Sequence, residues 1–181
     1  LGRDSLAKLV ERAAWLSKAD LVTRMVYEFP ELQGVMGREY AHHDGEDPRV
    51  ALALYEQYLP RFASDSLPTD DVGAILGLAE RIHIVVSCHK VGLEPTGSQD
   101  PYGLRRAARC INEILWGRNL DLDLEEAVRE SALLNQVEQD VLERILAFIG
   151  QRLLVQLKEK GYEHELAALA LSVIGRRPCQ A

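Results

Sequence analysis

Apolar residues recur every three to four positions along nearly the whole chain, and no segment alternates with period two, so the sequence predicts an all-α protein. From Ser5 to about Phe29, the apolar positions Leu6, Leu9, Val10, Ala13, Leu21, Val22, Met25 and Val26 mark one long helix or two short ones. Pro30 ends that stretch and opens a short helix carrying Leu32, Val35, Met36 and Tyr40. Asp47 and Pro48 supply an N-cap and a first helical residue for a helix reaching about Tyr58. Leu67-Pro68-Thr69-Asp70 signals the next start, and an apolar helix follows from Val72 to near Val91, stopped by Gly92.

The second half continues the pattern. Pro95-Thr96-Gly97-Ser98-Gln99-Asp100-Pro101-Tyr102 is a turn-rich loop, with Asp100 placed to cap a helix whose first residue is Pro101. Gly117 reads as the C-terminal cap of that helix, and Asn119 to Asp123 as a connector. A helix beginning near Leu124 breaks at Asn135-Gln136. A long amphipathic helix follows from about Val137 to Lys160, stopped by Gly161, and a last one spans about Glu163 to Ile174. Neither an internal repeat nor a low-complexity tract interrupts the series.

Composition narrows the class. At 181 residues, with 47% hydrophobic and 27% charged residues, the chain is long enough for one good core with an appendage. No apolar run approaches a membrane span, and the start does not resemble a signal peptide. The chain starts at Leu1 rather than Met and stops shortly after an apolar helical pattern, which leads one to expect a piece of something longer. Cys88, Cys110 and Cys179 are odd in number and lack CxxC spacing, as expected of free thiols in a reducing cytosol. The net charge of −7 argues against a general nucleic-acid binder, so any polyanion contact must be a local patch.

One such patch is evident. Arg105, Arg106 and Arg109 follow the loop at once, the first and last a helical turn apart on one face. Guanidinium groups beside a helix N-terminus with unpaired N–H groups suit phosphate. The same arginines could equally pair with Asp100, Glu113 or acidic residues of adjacent helices. Arg176-Arg177 has a similarly plain explanation, since cations complement a helix C-terminus. The loop is not a P-loop, because it lacks the lysine and the glycine spacing.

His42-His43-Asp44 is the candidate metal cluster, imidazole beside carboxylate at a helix end. The triplet resembles the His-Asp doublet of the HD superfamily of metal-dependent phosphohydrolases, which implies an active hydrolase as one alternative. Those enzymes need a further upstream His and a downstream Asp. The corresponding helix here reads Ala79-Glu80-Arg81-Ile82-His83, with no Asp in place, so a polar helix end is the plainer reading. His83 and His89 share a helix with Cys88 but lie too far apart for an i, i+4 ligand pair, and no catalytic triad can be assembled.

Three long motifs in order carry a second, broader resemblance. The run from Leu16 through Lys18, Asp20, Thr23, Glu28 and Gln33 to Arg38 is similar to a signature of the β subunit of bacterial glycyl-tRNA synthetase. Tyr58 to Pro68 and Gly92 to Ala107 match two further stretches of that family, and Gly175-Arg176-Arg177-Pro178 fits its continuation. The resemblance implies an HD-like helical domain over residues 1–116. A helical extension over 117–181 would lead toward a truncated anticodon-binding domain. It further implies a cytoplasmic α2β2 enzyme whose α subunit makes glycyl-adenylate from glycine and ATP with Mg. The β subunit binds tRNA(Gly), with no membrane partner.

On that basis this segment has no catalytic residue, metal or cofactor of its own. Arg105, Arg106 and Arg109, with Arg61, Lys90 and Ser98, are the expected RNA-binding residues. A purely architectural role, joining other modules and touching the α subunit, is the remaining alternative. Two departures stand out. Family members usually carry Ala-Asp-Lys-Leu-Asp where this chain has residues 79–83, and the resemblance leads one to expect a longer helical pair than the segment from Leu1 to Ala14.

Overall fold

Side-chain caps begin several helices where the sequence places them. Asp47 accepts from Arg49 N–H at 2.8 Å and Pro48 opens α4 (Pro48–Glu56); Asp123 accepts from Glu126 N–H at 3.1 Å and starts α7 (Leu124–Leu134). The computed structural model describes residues 3–62, 64–163, 165 and 167. Those residues form eight α-helices and no named strand, an all-α fold. The remaining helices are α1 (Arg3–Leu16), α2 (Arg24–Glu28), α3 (Val35–His43), α5 (Asp71–Lys90), α6 (Leu104–Gly117) and α8 (Gln139–Glu159). The helix expected over Glu163 to Ile174, the motif at Gly175 to Pro178 and Cys179 lie largely or wholly outside the described residues.

By its contacts the chain divides into two units, Leu1–Glu80 and Arg81–Ala181, with α5 running through the division. In the first, α1 and α3 both pack on α4. Ala13, Val50, Ala53, Val72 and Leu76 form an apolar cluster there, flanked by Leu6, Leu9, Val10 and Leu16.

The first stretch is neither one helix nor two of equal standing. Lys18 takes a left-handed φ of 63° that ends the α1 path, a 3₁₀ turn spans Ala19–Val22, and α2 follows. The α1 helix path ends there, and beyond it Leu21, Val22 and Met25 are exposed while Val26 is buried.

The helix expected from Pro30 also splits. Pro30–Leu32 is a 3₁₀ turn, and Gly34 at φ +79° separates it from α3. Two things demand glycine at 34: the left-handed backbone, and a Tyr58 ring atom 2.7 Å from where a Cβ would sit. Its N–H donates to the buried Asp20 carboxylate at 2.6 Å.

Another buried carboxylate organises the start of α5. Glu56 accepts from Thr69 N–H at 2.7 Å, the Thr69 hydroxyl at 2.6 Å and Asp70 N–H at 3.1 Å. Asp70 accepts from Val72 N–H at 2.9 Å and holds Arg49 through two N–H donors. By length and composition α5 is apolar enough to cross a membrane. Its apolar side chains, among them Val72, Leu76, Val85 and Val86, are buried in protein, as in a core helix.

In the second unit α6 and α7 both pack on α8. Leu104, Ala108, Ile111 and Leu115 recur at helical spacing on α6 and are fully buried; Ile145, Ile149, Leu153 and Leu157 do the same on α8. Burying each of these leucines and isoleucines contributes about 1.5–3 kcal/mol. Asn112 donates to Gln156 Oε1 at 2.8 Å inside this interface, and Gln156 donates to the Arg109 carbonyl at 3.1 Å, so polar register accompanies apolar packing. Gly117 is the last residue of α6, not its cap. The left-handed φ falls on Asn119 at 50°, the other residue type that tolerates it. Gln136 at φ 53° ends α7, and Gly161 at φ 93° follows α8.

Candidate nucleic-acid interface

The loop between α5 and α6 is fixed at both ends. At its start Gly92 N–H donates to His89 O and Leu93 N–H to Cys88 O, a glycine stop with φ +74°. At its tip Gln99 N–H donates to Thr96 O at 2.9 Å across Gly97. The helix does not begin at Pro101. Asp100 to Gly103 forms a turn, Gly103 N–H donating to Asp100 O at 3.1 Å, and α6 starts at Leu104 after Gly103 at φ +65°.

Asp100 still caps, from further back than expected. Its two carboxylate oxygens accept from Leu104 N–H at 2.8 Å and Arg105 N–H at 2.9 Å. Two of the helix N–H groups expected to face phosphate are therefore already bound to a carboxylate. That corrects the helix-terminus half of the sequence reading, because an anion there would displace Asp100 or sit beside its charge.

The three arginines, equivalent by spacing, have different surroundings. Arg105 is half-buried, and its guanidinium donates back to Gly97 O at 2.7 Å and Gln99 O at 3.2 Å. Arg109 is half-buried and pairs with Glu113 at 2.8 Å and Glu159 at 2.7 Å. Arg106 is exposed and makes no hydrogen bond or ion pair among the described residues. Its guanidinium passes 3.0 Å from the place a Cβ would take on Gly103, above the turn. Ser98 is exposed at the loop tip, and Lys90, the last residue of α5, is exposed at the loop's other end. Arg61 belongs to the first unit, where it donates to Asp65 at 3.1 Å and lies 5.8 Å from the Tyr55 ring centroid. The structure thus gathers Ser98, Arg105 and Arg106 on one loop-helix element, with Arg109 one turn on and turned toward carboxylates.

The other constellations stay dispersed. His42, His43 and Asp44 are exposed, with His43 Nδ1 3.4 Å from Asp44 Oδ1. No group of three or more His, Cys, Asp or Glu side chains is arranged to hold a metal ion among the described residues. Glu80, at the expected position of the family's first aspartate, forms an ion pair with Lys18 at 2.6 Å. His83 is exposed near Ser87, whereas His89 is buried with its Nδ1 2.7 Å from Val85 O and its ring against Phe148. Burial pushes the Cys88 and Cys110 thiols above their ordinary pKa, the state of packed thiols rather than activated nucleophiles.

The sequence reading missed the buried acceptors Asp20 and Glu56. A signal was available for Glu56, which lies three residues after Ala53 and so continues a buried row of α4.

Comparison with known proteins agrees with the motifs. Residues 2–172 match the family model described as glycyl-tRNA synthetase beta subunit. The chain is 44% identical over 170 residues to a glycine–tRNA ligase beta subunit of Shouchella clausii, covering 90% of this chain and 24% of the relative. It is 46% identical over 171 residues to that of Trichodesmium erythraeum, covering 91% and 24%. With that of Acaryochloris marina it shares 49% over 155 residues, covering 83% and 22%. The chain spans about a quarter of the length of these curated relatives.

Proposed function

The chain belongs to the glycyl-tRNA synthetase beta subunit family, and from that premise we propose that it is a non-catalytic, tRNA-binding and scaffolding segment of a glycine–tRNA ligase. The carrying observation is identity of 44–49% to glycine–tRNA ligase beta subunits over most of the chain. In this reading the complete enzyme is a cytoplasmic α2β2 assembly. Its α subunit forms glycyl-adenylate from glycine, ATP and Mg, and the β subunit presents tRNA(Gly). Residues 1–116 are an HD-like domain without hydrolase activity, and residues 117–181 extend toward an anticodon-binding domain.

Within the segment, the loop between α5 and α6 is the RNA contact, with Arg106 as its principal phosphate ligand and Lys90 and Ser98 beside it. Support comes from the exposure of Arg106 and the absence of any carboxylate paired with it among the described residues. An unpaired guanidinium offers its full fork to a phosphate, whereas Arg109 would first have to leave two carboxylates. The test is glycylation by the full α/β complex. Arg106→Ala should raise the KM for tRNA about five- to tenfold with kcat nearly unchanged, the loss of one charge-assisted contact made equally in ground and transition states. An unchanged KM at moderate salt would remove the assignment.

A further inference from the structure

We infer that Arg105 is a positioning residue for RNA rather than a phosphate ligand, an inference that rests on the loop being the RNA contact. Arg105 is tied at both ends. Its backbone N–H donates to Asp100, which fixes where the side chain leaves the helix. Its guanidinium then reaches back across the turn to two carbonyls, Gly97 O and Gln99 O. The two bonds close residues 97–105 into a ring whose span includes the exposed Ser98.

A planar fork is needed for this clamp. Two N–H groups at fixed separation meet two carbonyls two residues apart, which a lysine ammonium on a flexible stem cannot reproduce. Arg106, the next residue, carries an equal charge without such a tie among the described residues. Division of labour follows: Arg105 holds the loop in the shape that Arg106 and Ser98 present to RNA.

The two roles respond differently to a charge-conserving change. For a phosphate ligand, Arg105→Lys retains most of the binding and Arg105→Ala flattens the salt dependence by roughly 0.7–0.9 in slope, the signature of one lost phosphate neutralisation. For a loop clamp, Lys fails as Ala does, and the slope stays at its wild-type value. The experiment measures tRNA(Gly) KM, kcat and the salt slope for Arg105→Lys, Arg105→Ala and Arg106→Ala in the full-length α/β complex. Hydrogen exchange of residues 96–103 is followed in parallel.

The expected result is a several-fold higher KM in both Arg105 variants, unchanged slope, and loop exchange about tenfold faster; Arg106→Ala alone should flatten the slope. Rescue by Arg105→Lys, or a flattened slope in Arg105→Ala, would overturn the positioning role while leaving the RNA contact standing. No change in KM or slope in any of the three variants would instead remove the RNA contact, and the positioning role with it.

Discussion

Replacing Glu56 should show how much of the first unit hangs on one buried carboxylate. Glu56 is 2% exposed and accepts three hydrogen bonds at 2.6–3.1 Å, two of them from backbone N–H groups that lead into α5. Hydrogen bonds to a charged group contribute about 1.5–3 kcal/mol each. Glu56→Ala also removes the cost of burying the charge, so the bonds do not simply add. The expected net loss is about 3 kcal/mol, which with a urea m-value of about 2 kcal/mol/M lowers the midpoint by about 1.5 M.

Glu56→Gln separates the charge from the shape. Its amide oxygen can still accept from Thr69, but the NH₂ then faces Asp70 N–H, donor against donor. About half the loss should remain. Urea unfolding followed by far-ultraviolet circular dichroism, with m unchanged, gives both numbers. A loss below 1 kcal/mol for Glu56→Ala, or equal losses for the two variants, would refute the reasoning.

Gly73→Ala puts a Cβ 2.6 Å from Glu56 atoms, so an expected helix-propensity gain of about 1 kcal/mol should be reversed into a net loss of about 1–3 kcal/mol, read from the same urea midpoints. Burial pushes the Tyr58 phenol from 10.0 up to about 12. The stability tied to keeping it protonated is intact below pH 10 and is lost as pH climbs toward 12, because the unfolded chain ionises first. Absorbance at 295 nm should therefore show a late tyrosine ionisation, and Tyr58→Phe should abolish that step. Asp100→Ala removes two acceptor contacts at the start of α6 and should cost about 1 kcal/mol in thermal or urea unfolding, with faster amide exchange at Leu104 and Arg105.

The helix series was legible because its punctuation is local. Asp47-Pro48 and Gly92 act on their own neighbours, and α4 begins and α5 stops where those residues stand. The split at Gly34 was not legible, because its cause lies elsewhere in the chain. Asp20 receives its N–H from fourteen residues away, and the Tyr58 ring fills the space beside its Cα. Likewise Leu21, Val22 and Met25 are apolar and lie within the predicted helical stretch, but Lys18 turns the chain out of the helix before them, and the apolar pattern carries no record of that turn.

The site divides along the same line. Spacing identified three arginines next to a turn, and chemistry of residue type could go no further, since all three carry the same charge. What separates them is the location of acceptors. Glu113 is four residues from Arg109, visible as an i, i+4 pair, whereas Glu159 is fifty residues away and reaches it only because α8 packs on α6. The carbonyls that bind Arg105 exist as a pair only once Gly97 bends the loop. Among the described residues Arg106 makes no hydrogen bond or ion pair, whereas Arg105 and Arg109 are engaged. In a chain with net charge −7, that isolation makes it a stronger phosphate candidate than its position in the cluster alone implies.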